Sequence, residues 1–122
     1  MTGKVLITGA FGFIGSRLAL YLSRAGHSVI LGSSRNVVLP AWFPNSEVLQ
    51  ICWNNLSSIE KNLHDVDVII HAAGMNAKAC ETDPVAAMKF NGLATAHWVT
   101  MAAKSNVKKI IYLSTIHVYG SP

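Results

Sequence analysis

Lys4-Val5-Leu6-Ile7-Thr8-Gly9-Ala10-Phe11-Gly12-Phe13-Ile14-Gly15 decides how this chain folds. An apolar run of strand length breaks at Thr8 and Gly9, and apolar residues at helical spacing begin at Phe13. The three glycines therefore stand at a strand-to-helix turn. Gly9 can take the backbone angles of a tight turn, Gly12 lets the main chain approach a ligand, and Gly15 lets the first helical turn pack against the strand. The N–H groups around Phe13 and Ile14 lack intrahelical acceptors and carry the positive end of the helix dipole, which suits a diphosphate.

Working outward, the 122 residues are read as one domain with enough length for a core. With 51% hydrophobic and 13% charged residues, the composition is that of a buried α/β sheet. The net charge of +4 comes from cations scattered along the chain with no long basic run, so no nucleic-acid partner is expected. Cys52 and Cys80, read as lying at a strand end and in a loop, have neither paired nor metal-type spacing. Reduced thiols, no metal site and a cytoplasmic location are the expectation. No secretory leader or membrane-spanning run is visible, and no membrane partner is expected.

After the glycine turn, Ile14, Leu18, Tyr21, Leu22 and Ala25 recur at helical spacing, opposite Arg17 and Arg24, until Gly26-His27 ends the helix. Ser28–Leu31 reads as a second strand stopping at Gly32, and the right-handed crossover between the two makes them parallel. Residues 36–45 carry Pro40 and Pro44 and read as a connection whose Trp42 and Phe43 plug the sheet edge. Glu47–Cys52 is a third strand, and Ser57–His64 a short helix with Ile59 and Leu63 inward.

Val66–His71 is an apolar run of the kind buried on both faces of a parallel sheet, with His71 in a structural place at its end. The small residues Ala72, Ala73 and Gly74 would let a cofactor lie across the backbone there. Asp83-Pro84 opens the longest helix, which runs to about Lys104 with Val85, Met88, Gly92, Thr95, Val99 and Ala102 on one face and Trp98 as a packing residue. Lys109–Ser114 is the fifth strand. Alternating strands and helices predict an α/β fold with a parallel sheet.

The glycine segment, with its G-x-x-G-x-x-G spacing after Thr8, resembles the short-chain dehydrogenase/reductase superfamily, above all its extended branch of nucleotide-sugar epimerases and dehydratases. His71-Ala72-Ala73-Gly74 is similar to the family's His-x-Ala-[Ala/Gly] element. Ser114-Thr115-Ile116-His117-Val118-Tyr119-Gly120 resembles its Ser-Ser-x-x-Val-Tyr-Gly segment. The resemblance implies a Rossmann-like fold with its parallel strands in the order 3-2-1-4-5, a nicotinamide dinucleotide, and a nucleotide sugar or other small alcohol or ketone as substrate. It puts Thr115 where the family's catalytic Ser or Thr stands, hydrogen-bonding a substrate oxygen, with Ser114 beside it on the cofactor side. It also matches Asn91 to the mid-helix asparagine that bonds backbone near the active site.

The sequence departs from the family in three places. NAD-using members carry an acid at the tip of the second strand, whereas Gly32-Ser33-Ser34-Arg35 offers two hydroxyls and a cation to a 2′-phosphate. That favours NADP, with NAD as the alternative. After the third strand the family has an acid near the adenine. Here the text is Cys52-Trp53-Asn54-Asn55, leaving Asn54 or its neighbour Asn55 to bond the adenine edge. No Tyr-x-x-x-Lys acid/base pair occurs: Tyr21 is followed by Ala25 and Tyr112 by Ile116. The resemblance thus spans the first five strands of proteins more than twice as long. Residues 1–122 are expected to form the N-terminal part of a dinucleotide-binding domain that binds without turnover. Its apolar fifth strand would favour a homo-oligomer. A non-catalytic NAD(P)-sensing module and an NADP-dependent carbonyl reductase are the other readings.

Overall fold

The computed structural model describes residues 3–44, 46–115 and 119–120. Lys4–Thr8 forms β1, and the chain turns through Gly9–Gly12 into α1, Phe13–Arg24. β2 is Ser28–Ser33 and β3 is Ser46–Gln50. A 3-10 helix, Leu56–Leu63, leads to β4, Val68–His71. Three helical pieces follow, α2 (Ala77–Thr82), α3 (Pro84–Ala87) and α4 (Ala94–Ala103), and β5 is Lys109–Tyr112. All five strands are parallel in one sheet ordered β3-β2-β1-β4-β5, as the sequence predicts.

Alternation along β1 sorts its side chains onto two faces. Val5 and Ile7 join Val29, Leu31, Ile70 and Ala19 beneath α1, while Leu6 joins Ile30, Ile69 and the 3-10 helix residues Leu56, Ile59 and Leu63 on the other face. Trp98, Met101 and Ala102 of α4 close that second layer. Ionic contacts gather at the amino ends of the strands, where Lys4 Nζ lies 2.8 Å from Asp65 and 3.4 Å from Glu47 and Lys108 Nζ lies 3.2 Å from Asp67. The carboxyl ends are left for the site.

Four expectations need correcting. In α1 the buried line is Gly15, Ala19 and Ser23, flanked by the partly buried Leu18 and Leu22. Ile14 and Tyr21, expected inward, are exposed, as is Ala25. Small residues four apart let the helix axis settle close to the sheet, and larger ones are displaced to its flanks. The long helix is not regular: between α3 and α4 runs a π-helical stretch, Met88–Leu93. The wider π turns change the phase of the helix, so of the expected stripe Val85, Met88, Gly92 and Val99 are exposed, Thr95 and Ala102 face inward, and Ala94, Trp98 and Met101 join Ala102 in the core.

Residues 77–82, read as loop, form α2, which therefore holds Cys80. β3, β4 and β5 end short of their expected bounds, with Ile51 and Val66 buried outside the strands, whereas β2 runs past its expected stop at Gly32 to Ser33. The caps hold as expected. Asp83 accepts a hydrogen bond from Ala86 N at 3.0 Å, with Pro84 in the first turn. Phe43 packs with Leu39 on the α1-side core, whereas Trp42 is exposed.

Gly15 is the tightest point of the fold. A Cβ there would fall on the Gly9 carbonyl oxygen, 2.8 Å from the Gly9 carbonyl carbon and 3.0 Å from Ala10 Cα. The blocking atoms are backbone and cannot swing aside. Gly15→Ala is expected to destabilise the chain by about 1–3 kcal/mol despite alanine's better helix propensity, read as a lower urea midpoint. An unchanged or raised midpoint would show that the contact does not constrain the fold.

Candidate functional site

The loops that leave β1, β2 and β4 at their carboxyl ends, with the residues after β3, enclose a cavity of about 320 Å³. The β1 turn contributes Gly9, Phe11 and Gly12, and the tip of β2 contributes Gly32, Ser33, Ser34 and Arg35. Ala72, Ala73 and Gly74 line it after β4, and Trp53 and Phe90 complete it. This is the crevice at which open α/β sheets bind ligands.

Sterics explain the first wall. Gly9 has φ +65°, and a Cβ there would lie 2.8 Å from Ala73 N, so the turn crosses the end of β4 only as glycine. Gly12 N donates to the Gly9 carbonyl at 3.0 Å, closing the turn, and Ala10 N donates to the Gly32 carbonyl at 3.3 Å, fixing it to β2. α1 then starts with no side-chain cap and no acidic residue in its first turn. Its leading N–H groups and dipole remain directed to whatever occupies the cavity mouth.

The second wall holds the cavity's charge. Ser33 is buried and its Oγ accepts from Arg35 N at 3.1 Å, which turns the chain so that Arg35 and Ser34 stand exposed at the rim. Among the described residues, Arg35 is the one charged residue in the lining and none is a carboxylate. The aromatic wall is built by a cluster: Trp53 and Phe90 meet edge to face with ring centroids 4.6 Å apart, and Trp53 also meets Trp98 at 6.2 Å.

Behind the third wall lies a polar set in which Thr8 and His71 are buried and Asn91 and Thr95 half-buried. His71 is 1% exposed, with Nδ1 2.7 Å from Thr8 Oγ1 and Nε2 3.0 Å from Thr95 Oγ1. Thr8 Oγ1 also accepts from Ala72 N at 3.1 Å and Ala73 N at 3.2 Å, so the lining residues hang from it. Asn91 accepts from Met75 N at 2.8 Å, pinning the loop one residue beyond Gly74. Burial holds the His71 imidazole below its ordinary value.

Of the residues singled out from sequence, Gly9, Gly12, Ser33, Ser34, Arg35, Ala72, Ala73 and Gly74 line the cavity. Gly15 packs behind the turn, and the Phe13 and Ile14 side chains are exposed on α1, leaving those two positions only their N–H groups to offer. Asn54 faces a separate small cavity with Lys89 and Ala86, so the lining residue after β3 is Trp53. The side chain of Asn55 is turned to Ser57, 2.9 Å away. Asn91 acts on the Met75 backbone and not on the cavity.

Ser114 and Thr115 follow β5 at the same sheet edge without lining the cavity. Ile116, His117 and Val118 lie outside the described residues. Phe11, Gly32, Trp53 and Phe90 were missed as lining residues. For Trp53 the register of the short third strand decides, and Phe90 turns inward through the π-helical stretch. Among the described residues there is no cluster of metal-ligating side chains and no helix long and apolar enough to cross a membrane.

Residues 5–122 match the NAD dependent epimerase/dehydratase family. The chain belongs to that family. It is 30% identical to the UDP-glucose 4-epimerase of Pisum sativum, over 98% of this chain and 38% of that protein. Against a UDP-glucose 4-epimerase from Klebsiella pneumoniae it is 29% identical over 96% of this chain and 92% of that sequence. A structure of MoeE5 in complex with UDP-glucose and NAD superposes with a TM-score of 0.85 at 26% identity, over 98% of this chain and 39% of that one. The UDP-Glc/GlcNAc 4-epimerase of Campylobacter jejuni, at 19% identity and a TM-score of 0.87, shares the fold. The chain spans about two fifths of the length of the first curated relatives it matches.

The buried imidazole gives this family member an acid-sensitive site. Its folded pKa lies below the ordinary 6.5, so as pH falls the unfolded chain takes up the proton first. Stability from His71 is intact above about pH 6.5 and declines as pH falls from there through the lowered folded value. Asp65 and Asp67, held low by hydrogen bonds from the Lys4 side chain and backbone respectively, act only in the more acidic carboxylate range. Urea midpoints measured from about pH 8 to pH 5 should fall below pH 6.5, and His71→Gln should flatten that limb.

Proposed function

We propose that the cavity holds a nicotinamide dinucleotide and that this chain is the cofactor-binding part of an enzyme acting on a nucleotide sugar. The observation that carries this is the uncapped amino end of α1 behind a turn that glycine alone can make, opening into a cavity whose lining holds no carboxylate among the described residues. The leading N–H groups of α1, around Phe13 and Ile14, suit the pyrophosphate. Trp53 and Phe90 offer an aromatic wall to the adenine, and Ala72–Gly74 leave room for the chain of the cofactor along the end of β4. The dinucleotide supplies hydride uptake and return at a sugar carbon. Thr115, at the position of the family's catalytic hydroxyl, would hydrogen-bond the substrate oxygen, with Ser114 beside the cofactor.

Ser34 and Arg35 at the rim favour NADP over NAD, since a 2′-phosphate finds a cation and a hydroxyl there and no opposing acid. The family relationship and the NAD complex of MoeE5 support the dinucleotide as such. Calorimetric titration with each cofactor tests the preference. NADP is expected to bind more tightly, and Arg35→Ala to weaken NADP by about tenfold, or roughly 1.4 kcal/mol, with NAD changed by less than about twofold. Equal affinity for both would remove the case for these residues.

Because its 122 residues contain no Tyr-x-x-x-Lys pair, the chain is expected to bind without turnover. Hydride transfer to or from a UDP-sugar, followed by nicotinamide absorbance, would contradict this. β5 closes one side of the sheet order, with Ile111 and Tyr112 exposed. An apolar edge of this kind promotes self-association, and light scattering should show species larger than the monomer. A clean monomer at high concentration would refute it.

A further inference from the structure

Hydrogen-bond valence fixes the state of His71. A threonine hydroxyl has one proton to give and two lone pairs to receive with. Thr8 Oγ1 receives from Ala73 N at 3.2 Å and from Ala72 N at 3.1 Å, a donor it shares with the Thr8 carbonyl at 3.3 Å. With those two donors facing it, the hydroxyl directs its proton at His71 Nδ1, 2.7 Å away. A nitrogen that accepts is bare, so the imidazole is neutral with its proton on Nε2, and Nε2–H donates to Thr95 Oγ1 at 3.0 Å. Thr95 then passes its own proton to the Asn91 carbonyl at 2.7 Å.

We infer that His71, neutral and protonated on Nε2, is a positioning residue that joins the cavity floor to the π-helical stretch through a one-way chain of hydrogen bonds. The chain runs from the Ala72 and Ala73 N–H groups through Thr8, His71 and Thr95 to Asn91, whose side chain in turn holds Met75. Two segments far apart in sequence are thereby set in one register. A protonated ring would put an Nδ1–H against the Thr8 hydroxyl, turning its proton away and leaving the Ala72 N–H to the Thr8 carbonyl alone. The side chains packed on the ring are Thr8 of β1, Thr95 of α4, Trp53, Trp98 and Tyr112 of β5, the last stacked at 6.0 Å. Tyr112 is the titratable one among them, and among the described residues no Asp or Glu packs on the ring to offset a charged imidazole.

The direct test needs no ligand. In the full chain labelled with 15N-histidine, His71 should show a protonated Nε2 and a bare Nδ1 at neutral pH; a charged ring or an Nδ1–H tautomer overturns the inference. A second measurement separates positioning from packing. Thr95 does not line the cavity, yet Thr95→Val should speed hydrogen exchange at Ala73 N by at least about tenfold, and Thr95→Ser should restore it. Unchanged exchange in a folded Thr95→Val chain also overturns it, and if that variant does not fold the imidazole spectrum decides.

The third arm rests on the cavity being the dinucleotide site. There NAD affinity should drop by about tenfold in Thr95→Val, recover in Thr95→Ser, and fall with acid in the unaltered chain. A chain that shows the expected tautomer and exchange but binds no dinucleotide refutes the proposed function and leaves the relay standing. One that binds NAD equally well in all three forms refutes the relay's role in positioning.

Discussion

The carboxyl end of β1 has to reverse direction within the thickness of a peptide backbone, because β4 lies on one side of it and the first turn of α1 on the other. Gly9 meets the Ala73 backbone and Gly15 meets the Gly9 carbonyl, both closer than a side chain permits. Everything at the site follows from that steric limit. It seats α1 with its amino end uncapped at the cavity mouth and brings the Thr8 hydroxyl to the N–H groups after β4. A bulkier turn would leave the same elements but no crevice between them.

The two faces of the sheet are built differently, and the difference serves the site. Under α1 the contact is made by Gly15, Ala19 and Ser23, so the helix lies close and its axis is well fixed. On the other face large side chains fill the gap, with Trp98 fully buried beside His71 and Trp53. That aromatic layer extends to the cavity through Trp53 and Phe90. Packing and ligand wall are one body on this side, while the opposite wall is a polar turn held by Ser33. The ion pairs of Lys4 with Asp65 and of Lys108 with Asp67 lie at the amino edge of the sheet, and Arg35 is left at the opposite end, in the cavity lining.

Much of the architecture was legible because its signals are local. Glycine spacing marked the turn, apolar runs marked the strands, and Asp83-Pro84 marked a helix start, each readable within a few residues. The eight lining residues found from sequence belong to segments whose place follows from strand order alone. The misses lie where a small change of phase moves a side chain to another face. Trp53 in place of Asn54 is one step after a short strand, and the outward turn of Val85 and Met88 is the extra width of a π turn.

What the residue order settled by itself is the parallel sheet and the glycine turn that opens a helix toward an anion, since these need only backbone sterics and hydrophobic period, while the strand order was implied by the family resemblance. What the tertiary structure alone decided is which small residues α1 buries, how the aromatic wall meets the cavity, and that His71 binds Thr8 from 63 residues away and Thr95 from 24. Contacts of that range depend on the exact rotation of packed helices, and no local periodicity encodes it.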